Sequence, residues 1–453
     1  MDTRFAAYNA HHYNPKRYWD NDVHLRLLKS QPYQYEHPLI NELPKNIPGI
    51  YTIGGGRQIG KTTLLKQWIA SLITQGISPH SIFFFTGELI DDHHALVNLL
   101  QDLIDEKGKD ERLYIIIDEV TYIKDWDKGI KFTADAGYLS NSIVILTGSD
   151  LSLMQAARMT FPGRRGKADE VDFHIYSLSF KAFLQLKKTV PVDELSNKKS
   201  IVDQETIQQL YHEFQEYLRH GGYLTAINDI ARDNRISLAT LKIYSDWIRG
   251  DVLKRGKQEL YLKEILNAII NRYNKQITWN NLADAISIDS PKTVADYCEL
   301  LSTMDALFIQ SALLEDKLVA APKKARKLTF TDPFIYHAIK QWLQPMTDPN
   351  ERINSDIKDP VISSDLVEAI VSNQYHRYYP TYYIKNDGEI DIAYVDNNKF
   401  WPIEVKWRKQ IRPQDVKQIT KYKRARIFSK ISHYSEINNI PIEPLPWALI
   451  KSA

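Results

Sequence analysis

Ile50-Tyr51-Thr52-Ile53 runs directly into Gly54-Gly55-Gly56-Arg57-Gln58-Ile59-Gly60-Lys61-Thr62-Thr63-Leu64-Leu65. An apolar strand, a glycine-rich turn and a helical repeat (Leu64, Leu65, Trp68, Ile69, Leu72) follow one another without a break. Read from Gly55, the turn is G-x-x-x-x-G-K-T, and a strand before it with a helix after it is the setting in which that motif forms a phosphate-binding loop. Glycines let the backbone curl around an anion with its N–H groups inward, at a helix N-terminus already favourable to negative charge. Gly55 through Thr63 are therefore the predicted cradle for ATP, with Lys61 on the β- and γ-phosphates and Thr62 on Mg2+.

Working outward, residues 46–180 alternate short apolar runs with helical stretches, the pattern of a parallel sheet covered by helices. The runs are Ile50–Ile53, Ile82–Phe85, Leu113–Ile117 and Ile143–Leu146, with helices expected near 61–75, 92–106 and 127–139. Runs this continuously apolar suit strands buried on both faces. The third run delivers Asp118 and Glu119 at its C-terminal end, where Asp118 would complete the Mg2+ site and Glu119 would polarise the attacking water. The fourth ends Leu146-Thr147-Gly148-Ser149, which puts Thr147 or Ser149 where a hydroxyl senses the γ-phosphate or the water; capping of the next helix explains Ser149 equally well. Beyond it, Phe161-Pro162-Gly163-Arg164-Arg165-Gly166 offers Arg164 or Arg165 as a finger on the developing charge, in cis or from a neighbouring copy, or else a solvated basic loop.

The chain has 453 residues, 43% of them hydrophobic and 25% charged, a soluble composition too long for one core. Net charge is +2 and carries no information about partners; the single Cys298 excludes an internal disulfide and a cysteine-rich zinc site. No apolar run approaches the ~18 residues of a membrane span, and the start lacks a signal-peptide profile, so a cytoplasmic location without membrane contact is expected. Residues 1–45 lack a long periodic element and read as an arm packing on the core or on a neighbouring subunit, with His11 and His12 as surface residues.

Residues 181–256 are helical in pattern, a lid, with Arg219-His220-Gly221-Gly222-Tyr223-Leu224 as a turn. Residues 257–340 read as a winged helix: apolar helical faces at Leu262–Ile270, Trp279–Ile286 and Val294–Met304, then strands at Leu307–Leu314 and Lys327–Phe330. Pro291 stands at the first position of the third helix. Lys323-Lys324-Ala325-Arg326 would form a basic wing able to meet DNA, although such domains also serve as protein spacers. In residues 341–453, strand Thr381–Ile384 and a turn at Asn386-Asp387-Gly388 lead to Glu389-Ile390-Asp391-Ile392, and Phe400–Trp407 carries Glu404-Val405-Lys406. Positions two apart on a strand share a face, so Glu404 and Lys406 are presented together with Asp391 alongside. Two carboxylates and a lysine around Mg2+ or Mn2+ suit phosphodiester hydrolysis. Ile403 to Lys430 holds ten Lys or Arg against two acidic residues, which suits DNA or a solvated face.

Two resemblances follow. Gly56-Arg57-Gln58-Ile59-Gly60-Lys61-Thr62-Thr63-Leu64, Ile117-Asp118-Glu119-Val120, Leu146-Thr147-Gly148-Ser149, Pro162-Gly163-Arg164 and Leu178-Ser179-Phe180 resemble, in order, the AAA+-related archaeal and bacterial ATPases that carry a carboxy-terminal domain of formerly unknown function. Gly56 departs from the proline that relatives place there. Asp391, Glu404 and Lys406, with Glu368 on a preceding helix and Gln418-Ile419-Thr420-Lys421-Tyr422 on a following one, resemble the PD-(D/E)xK nuclease superfamily. The resemblance implies Glu368, Asp391 and Glu404 as metal ligands and Lys406 as the catalytic cation. The expected whole is an α/β multidomain chain: arm, P-loop ATPase, helical lid, winged helix and restriction-endonuclease-like domain. Its expected partners are ATP, DNA at the basic carboxy-terminal region and a second copy of the chain.

Overall fold

In a computed structural model, which describes residues 3–108, 110–197, 203–386 and 388–451, the four apolar runs become parallel strands. These are β1 (Gly49–Gly55), β2 (Ile82–Thr86), β3 (Leu113–Asp118) and β4 (Ser142–Gly148). A fifth, β5 (Asp172–Ile175), completes a sheet of order β2-β3-β4-β1-β5. Side chains on a strand alternate between faces, and both faces here are apolar. Ile50, Phe83, Phe85, Ile115, Ile117, Val144 and Leu146 join one core. Tyr51, Ile53, Phe84, Tyr114, Ile116, Ile143 and Ile145 join the other, beneath Leu65, Trp68 and Ile69 of the helix Lys61–Thr74. The other covering helices are His93–Lys107 and Trp126–Asp135.

The chain forms two compact units, Met1–Tyr176 and Ser177–Ala453. The arm therefore belongs to the first unit, and it closes the exposed edge of β2. Asn9 acts there as a substitute strand: its Nδ2 donates to Phe84 O and its Oδ1 accepts from Phe84 N, both at 2.8 Å. His11 and His12 are not surface residues as expected; their Nε2 atoms meet Ile82 O at 2.9 and 2.7 Å, and burial lowers His11 to a pKa of about 3. The reason is the edge itself, since backbone groups of β2 that lack a neighbouring strand need partners. Lys66, buried in the same layer, donates to Tyr8 O at 2.6 Å, lies 3.3 Å from Asp22 Oδ2 and sits over the Phe84 ring. Asn9→Ala leaves both Phe84 groups unpaired and is expected to cost about 1–3 kcal/mol. A lower denaturant midpoint, with faster proteolysis within the first 45 residues, would register the loss.

In the second unit, helices Phe180–Lys187, Gln204–His220, Leu224–Asp233 and Leu238–Lys254 come first. They meet the rest of the unit at Asp332. Its Oδ2 accepts from Ser177 Oγ and Gly222 N, both at 2.8 Å, and its Oδ1 accepts from Phe334 N at 2.9 Å, capping helix Pro333–Leu343. A Cβ on Gly222 would stand 2.1 Å from Leu178 O, so only glycine fits this approach.

Three helices, Glu259–Asn271, Trp279–Ala283 and Pro291–Thr303, accompany an antiparallel sheet of order β6-β10-β7: β6 (Gln276–Ile277), which falls between the first two helices, β7 (Leu307–Ser311) and β10 (Arg326–Phe330). The short ribbon β8 (Leu313–Leu314) and β9 (Val319–Ala320) lies between the last two in sequence. A six-stranded mixed sheet follows, built from β11 (Thr381–Lys385), β12 (Glu389–Asp396), β13 (Lys399–Lys406), β14 (Arg426–Ser429), β15 (Ser435–Ile437) and β16 (Ile440–Pro444) in the order β11-β12-β13-β14-β16-β15. Helix Pro360–His376 packs on β12 and β13. Asp387 of the expected turn lies outside the described residues. The helix expected around Gln418–Tyr422 is absent: Pro413–Val416 and Ile419–Lys421 are separate 3-10 turns. Their buried residues, Val416 and Ile419, are three apart, the period of a 3-10 turn, and four cations between 417 and 424 offer no second apolar row. Among the described residues no helix is long and apolar enough to cross a membrane.

Candidate functional site

The glycine-rich loop leaves β1 and enters helix Lys61–Thr74 with Gly55 at φ +150°, Gln58 at +59° and Gly60 at +96°. A Cβ on Gly55 would meet Ile175 O at 2.5 Å, so the first glycine is required by β5 as well as by the turn. Lys61 Nζ is buried and donates to Gly55 O at 3.0 Å and Gly56 O at 2.8 Å. It also lies 3.5 Å from Glu119 Oε1. Thr62 Oγ1 donates to Asp118 Oδ2 at 2.7 Å, and Thr147 Oγ1 to Asp118 Oδ1 at 2.5 Å. The strands thus bring Lys61, Thr62, Asp118, Glu119, Thr147 and Ser149 to one end of the sheet.

The two hydroxyls at the tip of β4 divide their work. Thr147 faces Asp118 and also accepts from Glu119 N at 3.0 Å, whereas Ser149 donates to Glu119 Oε2 through Oγ at 2.9 Å and N at 3.2 Å. Glu119 stands in the left-handed region at φ +53°. A Cβ on Gly87 would lie 2.4 Å from the Glu119 carbonyl, so a glycine in the neighbouring loop makes room for it. Burial raises Asp118 above the usual carboxylate range, and the hydroxyls of Thr147 and Thr62 oppose that. For Glu119, burial pushes up but Lys61, Ser149 and Arg57 together outweigh it, leaving its pKa lowered. Arg57 also donates to Tyr122 OH at 2.8 Å, a partner the sequence did not reveal because Tyr122 follows the acidic pair in an unpatterned turn. A hydroxyl and a carboxylate already in contact at a helix N-terminus fit a magnesium ion beside a bound phosphate.

Arg164 and Arg165 do not join this group. Arg164 pairs with Asp135, at the end of helix Trp126–Asp135, and the Arg165 carbonyl lies against Gly49, the opposite end of β1 from the loop. Arg165 is itself bound to Asp172 and Val171 O. A finger acting in cis is thereby corrected: the chain after β4 returns to the foot of the sheet before forming β5.

In the second unit, Asp391 and Glu404 are buried on adjacent strands, with Lys406 Nζ 2.5 Å from Glu404 Oε1 and 3.7 Å from Asp391 Oδ2. Asp391 Oδ2 also accepts from Val405 N at 2.8 Å. Glu368 is instead turned onto Lys327, at 2.7 Å. Among the described residues no three His, Cys, Asp or Glu side chains gather closely enough to hold a metal ion. The expected ligand set Glu368, Asp391 and Glu404 is therefore not assembled, because lysines contact all three of its carboxylates, and the residues as placed do not fit a metal. In the basic stretch Lys323 and Lys324 are exposed, Lys324 donating to Lys385 O, whereas Arg326 is buried and stacks over Trp279.

Burial raises Glu368 to a pKa of about 7 and Glu404 to about 8, with the Asp391 charge adding to both. A carboxyl raised in this way binds its proton more tightly folded than unfolded. Its stabilisation is complete below the unfolded value of 4.5 and is lost as pH rises through the folded one. Unfolding free energy is expected to fall between pH 5 and 8 by up to about 3 kcal/mol on this account. Glu404→Gln should flatten the decline, as read from denaturation at several pH values.

Comparison with known proteins agrees with the first unit. Residues 48–184 match the AAA domain family, while residues 211–345 and 364–449 match two domains of unknown function, DUF8612 and DUF4143. An uncharacterised protein of Haemophilus influenzae is 26% identical over 269 residues, 57% of this chain and 61% of that protein's length. Among solved structures, a Walker-type ATPase of Pyrococcus abyssi aligns at 15% identity and TM-score 0.43, covering 66% of this chain and 93% of its own. A RuvB variant of Thermotoga maritima aligns at 14% identity and TM-score 0.28, covering 66% and 89%. The loop, the parallel sheet and the family match define an AAA-like P-loop ATPase domain.

Proposed function

We propose that the chain hydrolyses ATP in a Mg2+-dependent reaction at Gly55–Thr63 and that this cycle governs a DNA-acting second unit in the cytoplasm. One observation carries the first half: Lys61, the Thr62–Asp118 pair and the Ser149–Glu119 pair converge on a single loop. Thr62 and Asp118 would hold the magnesium ion, which neutralises phosphate charge when bound. Lys61 exchanges the carbonyls of Gly55 and Gly56 for the β- and γ-phosphates. Glu119, oriented by Ser149, aligns the water and takes its proton as the terminal phosphate leaves ADP. Arg164, half-buried and paired with Asp135, would serve a neighbouring copy in an oligomer by exchanging that carboxylate for a phosphate.

For the second unit, the order of helices and strands over 257–340 supports a winged helix. The mixed sheet carrying Asp391, Glu404 and Lys406 supports a PD-(D/E)xK nuclease-like domain. The lysine contacts of its carboxylates favour a second reading, an ATP-dependent switch or scaffold whose carboxy-terminal domain binds nucleic acid or a protein without cutting. Phosphate release measured with and without DNA tests the coupling, and DNA products from wild type and Asp391→Ala separate the two readings. A rate unmoved by DNA would remove the coupling, and identical products would remove cleavage.

A further inference from the structure

The phosphate-binding loop carries a second cation besides Lys61. Arg57 follows Gly56, and its side chain is half-buried on the side of the loop that faces the turn after β3. One guanidinium nitrogen donates to Tyr122 OH at 2.8 Å, and the group lies over the Tyr122 ring, 5.6 Å from its centroid. Tyr122 ends the 3-10 turn Val120–Tyr122, which begins directly after Glu119 and is closed by Tyr122 N donating to Glu119 O at 3.1 Å. Arg57 therefore stands on the same side as the carboxylate expected to align the water. Its charge reaches that carboxylate: burial raises Glu119, and Lys61, Ser149 and Arg57 lower it. Tyr122 is 38% exposed, so its hydroxyl can exchange Arg57 for water without a buried group being stranded.

Phosphoryl transfer spreads negative charge over the oxygens of the terminal phosphate, and P-loop enzymes meet it with a lysine, a metal ion and an arginine. The arginines after β4 do not supply this charge within the chain: Arg158 and Arg165 are paired with Asp172, and Arg164 with Asp135. We propose that Arg57 is the catalytic arginine of this site, acting in cis from the loop itself, and that Tyr122 holds it until a γ-phosphate replaces the hydroxyl. A guanidinium is always charged and presents a fork of donors that matches phosphate oxygens, so a phosphate displaces a neutral phenol from it. Arg57 moves no proton and forms no covalent bond. It neutralises charge while the bond from water oxygen to phosphorus forms, the bond to the ADP oxygen breaks and Glu119 takes the water proton. The inference rests on the ATPase reading of Gly55–Thr63.

The test uses the full chain with Mg2+ as wild type, Lys61→Ala, Arg57→Ala, Arg57→Lys and Tyr122→Phe. Steady-state phosphate release is measured beside the binding of ADP with and without aluminium fluoride, which mimics the transferring phosphoryl group. Arg57→Ala is expected to lower kcat at least about 30-fold. It should also abolish the tightening of ADP that aluminium fluoride produces in wild type, while still binding ADP alone. Arg57→Lys should recover part of both losses. Tyr122→Phe is expected to lower KM for ATP about two- to ten-fold, because the hydroxyl no longer competes for Arg57, and not to share the loss of kcat. Equal losses in Arg57→Ala and Tyr122→Phe would show that the pair only holds the turn bearing Glu119, and would overturn the proposal. Turnover that falls in Lys61→Ala but not in Arg57→Ala would overturn it while leaving the ATPase reading intact; no turnover in wild type would overturn both. Should Arg57→Ala fail to fold, as read by melting temperature, Arg57→Gln keeps a donor for Tyr122 OH without the charge and is measured in its place, with the same loss expected.

Discussion

Glu119→Gln is expected to leave ATP binding intact and to lower turnover about 10²- to 10⁴-fold, the usual contribution of a positioned general base. Lys61 faces Glu119 at 3.5 Å but is also held by Gly55 O and Gly56 O, and Thr62 by Asp118, so these contacts of the loop remain when the charge of Glu119 is removed. The amide would keep one oxygen for Ser149, so the change is chemical more than structural. Because Lys61, Ser149 and Arg57 outweigh burial and keep the pKa of Glu119 low, the carboxylate is ionised at neutral pH and able to accept a proton. Phosphate release and binding of a fluorescent ATP analogue, measured side by side, separate the two steps. Equal loss of both would mean that Glu119 builds the loop; loss of neither would remove it from the chemistry.

Asp332→Ala should be the most damaging single change away from the loop, on the order of 3–5 kcal/mol. Its two oxygens serve Ser177, Gly222 and the first turn of helix Pro333–Leu343, and all three donors would be stranded in a buried setting. Gly222→Ala attacks the same junction sterically, through the 2.1 Å approach to Leu178 O. Chemical denaturation reads both variants. A loss below about 1 kcal/mol for Asp332→Ala would show that water replaces the carboxylate and that the junction is not where this unit is held together.

The phosphate loop and the carboxylates after β3 were legible because their chemistry depends on local spacing and on where a strand ends. Strands β1 to β4 were legible because each is apolar on consecutive positions. β5 was not: Asp172-Phe173-His174-Ile175 alternates, pairs with β1 alone, and spends its polar side on Arg158 and Arg165. Arg164 was misplaced because a basic loop after β4 carries no mark of which end of the sheet it revisits. Asp332 before Pro333 is visible as a helix cap, but its partners lie 155 and 110 residues away. Lys327 was legible only as the start of a strand after the basic stretch; only the tertiary fold turns that face of β10 onto Glu368.

The central claim is that Gly55–Thr63 is a site of ATP turnover. Steady-state phosphate release by wild type and by Lys61→Ala, at saturating ATP and Mg2+, tests it most directly. Hydrolysis by wild type that falls to background in the variant is the predicted result, and hydrolysis undiminished by the loss of Lys61 would contradict the account.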